Sequence, residues 1–168
     1  MTRAQMMRRV RNVSTVLGPL VLGCALYMLA RPRGLIAFGW FEAVGLGDAL
    51  TISRVVVQPY VRVLPPFVLF SVPDGLWAYA FTRAMALVWS HRWSTVSAPW
   101  LLLGPIAAIG SELGQAVGVV PGTFDVLDLL VVTAGCFLAL VGSLSSGRLD
   151  GLDPPQPFAD GSDLSRRL

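Results

Sequence analysis

The sequence predicts an all-α fold, an integral membrane four-helix bundle with an interfacial helical segment between its first and second spans. Three observations predict it. The chain of 168 residues is 54% hydrophobic and only 14% charged, and its mean hydropathy is +0.65, too apolar for an ordinary soluble domain. Apolar runs of spanning length recur along it, broken by polar or Pro-Gly stretches. All 13 basic residues are arginines, and in a bilayer protein such charge sets topology and grips anionic lipid headgroups rather than nucleic acid.

Residues 1–12 form a basic N-terminus with Arg3, Arg8, Arg9 and Arg11, and the eighteen uncharged residues from Val13 to Ala30 suffice for a first span. Val21-Leu22-Gly23-Cys24 loosely matches a lipobox. The apolar run nevertheless continues six residues past Cys24 and meets Arg-Pro-Arg at once, so an uncleaved helix is expected rather than a leader. Residues 31–66 mix Arg31, Arg33, Glu42, Asp48, Arg54 and Arg62 with Trp40, Phe41 and Tyr60. They are too charged to span and read as one or two helices lying on the membrane surface. Within them Gly45-Leu46-Gly47-Asp48 matches the GxGD string of intramembrane aspartyl proteases, but it lies outside a spanning helix and lacks a partner Tyr-Asp helix.

A second span is expected over 72–90, with Pro73 in its first turn and His91, Arg92 and Trp93 closing it as an interface belt. A third covers 97–119, Pro121-Gly122-Thr123 makes the turn, and a fourth covers 125–143. The tail, 145–168, is rich in Ser, Gly, Pro and Asp and reads as disordered. Cys24 and Cys136 fall within apolar runs, where packing is the ordinary role of a thiol. Neither forms part of a disulfide framework or a metal knuckle.

With four spans and both ends on one side, arginines divide eight to four in favour of the side holding the termini, which predicts both termini in the cytoplasm. Counted from the cytoplasmic helix ends, Asp74, Glu112 and Asp128 each lie about 15 residues up their spans, roughly 23 Å at about 1.5 Å per residue. Gln115 and Asp125 stand a turn higher, each at i, i+3 to the residue below it. Three helices therefore bring four carboxylates and an amide to one level in the outer leaflet, where polar side chains need a reason.

Carboxylates held so close cannot all stay ionised without compensation. Four kinds are open: shared protons, a divalent cation such as Mg²⁺ or Ca²⁺ on oxygen ligands, a basic group on a ligand, or Arg54 or Arg62 folding in from the outer segment. Arg83 lies nine residues below Asp74 on the opposite side of the same helix, so it is expected to snorkel to the cytoplasmic headgroups. The bland alternatives differ by residue. Asp74 after Pro73 and Asp125 after Thr123 both stand where a carboxylate serves a helix start. Glu112 and Asp128 lie deeper, with ligand binding or interhelical hydrogen bonding as their two roles, and Gln115 shares that choice.

Glu112-x-x-Gln115 closing one span, a short Pro-Gly turn, and Asp125-x-x-Asp128 opening the next with Gly135 seven residues on, together resemble the VanZ-like membrane proteins. Asp74 at the start of the second span agrees. The resemblance covers mainly 110–140 and departs at three points: the turn lacks the family's Arg, Val132 replaces an Asn and Ala78 replaces a His. It implies a multi-pass protein of the bacterial inner membrane and cell envelope, a family associated with resistance to the glycopeptide teicoplanin and without an agreed activity. The expected function is a pocket for a polar lipid headgroup, an envelope precursor, a glycopeptide-type ligand or a cation, with Glu112, Gln115, Asp125, Asp128 and Asp74 as its residues. A membrane enzyme acting on a lipid-linked envelope substrate and an assembly subunit are the alternatives.

Overall fold

A computed structural model describes residues 3–31, 36–89 and 94–150. Among them every element is a helix: α1 (Arg3–Ala30), α2 (Ile36–Ala43), α3 (Gly47–Val61), α4 (Pro66–Phe70), α5 (Val72–Val88), α6 (Ala98–Ala116) and α7 (Val126–Asp150). The four long helices expected from the hydropathy pattern are α1, α5, α6 and α7; α5 and α6 end within a few residues of expectation, whereas α1 begins at Arg3, so most of the basic N-terminus is helical and continuous with the first expected span. Helix α7 runs on to Asp150, so the first residues expected in the tail are helical. Residues 151–168, Arg33 and the expected belt of His91, Arg92 and Trp93 lie outside the described residues.

Two helices are long and apolar enough to cross a membrane, over Gln5–Ala30 and Val126–Leu144. In their most apolar 18-residue windows only 6% and 22% of the residues are buried. Their large apolar side chains, Val13, Leu17, Val21, Leu130, Phe137 and Leu138 among them, face outward. Thr82, Arg83, Glu112 and Ser143 are buried instead.

Helices α2 and α3 are the two helices expected in the segment after the first span. Gly45, at φ +76°, ends α2. Leu46 N donates to Phe41 O at 2.8 Å and Gly45 N to Glu42 O at 3.0 Å, the paired bonds of a Schellman turn. The Gly45–Asp48 string is thus a helix-to-helix turn. Arg54 fastens α3 to the end of α1, donating from Nη1 to Met28 O at 2.5 Å with its guanidinium 5.1 Å from the Phe38 ring.

Helix α5 is central: α1, α6 and α7 all pack on it, and α6 also meets α7. The α5–α7 crossing is set by glycine. A Cβ added to Gly135 would fall on the Gly75 carbonyl oxygen, and one added to Gly75 would fall on the Val131 side chain, so the two backbones touch as only small residues allow. Below this point the facing positions are Ala78, Thr82 and Ala86 on α5 against Val132, Cys136 and Ala139 on α7, all buried. Thr82 Oγ1 donates to Cys136 Sγ at 3.7 Å.

The same crossing corrects the expectation for Arg83. It does not snorkel outward; it is 5% exposed and donates from Nη1 to Ser143 Oγ at 2.8 Å. Ser143 in turn donates to Ala139 O at 2.6 Å. The glycine contact turns this face of α5 onto α7, where a hydroxyl supplies the acceptor that headgroups or water would otherwise give.

Candidate functional site

The level of each polar residue follows from two contacts. Phe81 and Thr82 press on Gly104 of α6, where an added Cβ would come within 2.9 Å of the Phe81 ring. Eight residues toward the start of α5 from Thr82 is Asp74, and eight toward the end of α6 from Gly104 is Glu112. Each is about 12 Å along its helix, so the two carboxylates reach the same height.

Local sequence holds both in place. Pro73 sits in the first turn of α5 and fixes Asp74 there. Helix α6 ends one turn beyond Glu112 because Gly118 adopts φ +73°, with Val119 N donating to Gly114 O at 2.9 Å and Gly118 N to Gln115 O at 3.1 Å. The side-chain amide of Gln115 lies against the backbone of Gly122 in the following turn. The turn that leads into α6 is closed by Ser94 and Ser97, each backbone N–H donating to the other's hydroxyl, at 2.9 and 3.1 Å.

Between α5 and α6 lies an open cleft of about 510 Å³, within the roughly 300–1,000 Å³ of ligand sites. Its polar end is formed by Asp74, Ser111, Glu112 and Gln115, with Trp77 beside them; its other end is Phe81, Gly104, Ala107 and Ala108, and Val132 of α7 forms part of the wall. Glu112 is 8% exposed. Its Oε2 has no hydrogen-bond partner. An acceptor so placed is costly unless something donates to it.

Three of the five expected site residues, Asp74, Glu112 and Gln115, therefore line one cleft. Asp128 is half-buried beside it, near enough for its charge to act on both Glu112 and Asp74. Asp125 is exposed and caps α7, accepting from Leu127 N at 2.8 Å, the more ordinary of its two expected roles. Replacing Asp125 by Ala is expected to lower stability by about 1 kcal/mol while Asn leaves it unchanged, because Asn caps as well as Asp. Thermal melting of the two variants in detergent checks this; equal losses in both would show that the charge, not the cap, is what matters there.

The cation near the carboxylates is neither Arg54, which is committed to Met28, nor the exposed Arg62. Among the described residues it is Arg31, directly after α1, whose charge acts on Asp74. Its guanidinium lies 5.3 Å from the Tyr27 ring and 5.0 Å from Phe70. Tyr27 packs on Trp77 with ring centroids 5.2 Å apart. Arg31 stood in the sequence as one topology-setting arginine among others; only the return of α1 onto α5 brings it near Asp74. Among the described residues no three His, Cys, Asp or Glu side chains are grouped to hold a metal ion.

The described residues thus define an all-helical protein with two helices fit to cross a membrane and an acidic cleft beside them. Comparison of the chain with protein-family models, with curated proteins and with solved structures found no match.

Proposed function

We propose that this is a VanZ-like multi-pass protein of the bacterial cell envelope, a bundle of four spanning helices whose acidic cleft, in the outer leaflet of the inner membrane, binds the polar headgroup of a lipid or envelope precursor. The observation that carries the reading is Glu112, a buried carboxyl with an unpartnered oxygen on a residue that lines a cleft with Asp74 and Gln115. In a membrane such a group marks a site by default.

Several features support the membrane setting. Large apolar side chains such as Val21, Leu130 and Phe137 are exposed on the helices while Thr82, Arg83, Glu112 and Ser143 are buried beside the alanines of the core. Helices α5 and α6, with 17 and 19 residues, fall in the roughly 17–25 residue range of spanning helices. Gly23 and Tyr27 of α1 pack on Trp77, which favours a resident helix over a cleaved leader. The eight-to-four division of arginines orients both termini to the cytoplasm.

Native-lipid mass spectrometry of the purified wild type and of Glu112→Gln tests the reading. The wild type is expected to retain a bound amphiphile that the variant lacks. Identical spectra from equally folded proteins would sink it in favour of a packing or assembly role.

A further inference from the structure

We propose that the cleft takes an amphiphile whose headgroup ends in a primary ammonium, seated at Glu112, Asp74 and Gln115 with its apolar chain along Phe81, Gly104 and Ala107. This rests on the reading of the cleft as a headgroup site and names the chemistry that fills it.

The groups at the polar end demand a donor. The Glu112 and Asp74 carboxylates, both lining the cleft, are acceptors when ionised, and the Gln115 amide adds a carbonyl. An –NH3+ group carries three donors and no acceptor, so it can satisfy all three. The other headgroup classes fit worse. An anionic headgroup would meet Glu112 and Asp74 with Asp128 close behind, a like-charge encounter. A quaternary ammonium has no N–H to give and leaves the carboxylate acceptors of the cleft without a donor. Such ions are ordinarily held by aromatic cages, and here the Tyr27 and Phe70 rings already carry the Arg31 guanidinium.

The rest of the cleft sets the shape. From Glu112 to Gly104 it follows eight residues of α6, about 12 Å, and beyond Ser111 its walls are Ala108, Ala107, Gly104 and the half-exposed Phe81. A hydrocarbon chain fits this surface, whereas a free amine would fill only the polar end.

The test uses the full chain in detergent and a native mass spectrometry titration with phosphatidylethanolamine, its N-monomethyl, dimethyl and trimethyl derivatives, phosphatidylglycerol, and free ethanolamine as competitor. Phosphatidylethanolamine is expected to bind at least about 10-fold tighter than the trimethyl lipid, affinity falling with each methyl, since each removes a donor to a charged or buried acceptor. Glu112→Gln should erase the discrimination; Asp74→Asn, which should weaken it, stands in if that variant fails to fold. Displacement by millimolar ethanolamine would support the ammonium site but assign it to a free amine, overturning the amphiphile. Equal retention of the methylated series, or preference for phosphatidylglycerol, would overturn the ammonium while Glu112-dependent binding kept the headgroup site. No lipid held more tightly by the wild type than by Glu112→Gln would overturn both.

Discussion

Glu112→Gln is expected to leave the protein folded and to empty its cleft. The substitution keeps shape and volume and removes the charge. The lost interaction is a charge-assisted hydrogen bond to the ligand, worth about 1.5–3 kcal/mol, so affinity should fall roughly 10- to 100-fold. Stability should move the other way or not at all. A buried carboxyl whose Oε2 has no partner costs the fold free energy, and residues kept at such a cost are characteristic of sites rather than of packing. Glu112→Leu, which removes the polar atoms altogether, is expected to melt at or above the wild-type temperature and to bind nothing. Interhelical glue predicts the opposite pattern: lower melting temperature and lower abundance in both variants. Melting curves beside bound-lipid spectra of the same preparations separate the two.

The second large effect is structural. Gly135→Leu is expected to prevent α5 and α7 from closing, because the first side-chain carbon already falls on the carbonyl oxygen of Gly75, a backbone atom that cannot swing aside. Overpacking in a core costs about 1–3 kcal/mol, and more where backbone must move, so a loss at the top of this range or beyond is expected, with aggregation on size-exclusion chromatography. Gly110→Leu is the matched control, since nothing lies within 4 Å of its added Cβ. Wild-type melting of Gly135→Leu would mean that the helices do not cross at Gly75, and the shared height of Asp74 and Asp128 would lose its basis.

The two predictions are linked through register. The crossing at Gly75 and Gly135 fixes how α5 is rotated, and the contact of Phe81 and Thr82 with Gly104 fixes how far α6 slides along it. Together they turn Asp74 and Glu112 toward the same cleft. Expressed with little folded protein, Gly135→Leu would lose the ligand as well, but for want of a cleft; Glu112→Gln would lose it with the cleft intact.

The sequence by itself determined the helices and the height of the polar residues along them. A helix rises about 1.5 Å per residue whatever it packs against, so the distances of Asp74, Glu112 and Asp128 from their helix ends follow from the count, while the contacts at Gly75 and Gly104 decide how the helices slide against one another. It also determined local chemistry: Asp125 caps α7 because its oxygen reaches a backbone N–H two residues on, a contact that needs no other element. What only the tertiary structure decided is which way each residue faces and what it meets. Asp128 stands beside the cleft and Asp74 inside it, since helix rotation is set by where two glycines let backbones touch. Arg83 turned inward to Ser143 for the same reason, and Arg31 came to Asp74 because α1 returns to pack on α5. Rotation and partnership are properties of pairs of helices, so the spacing within any one helix does not contain them.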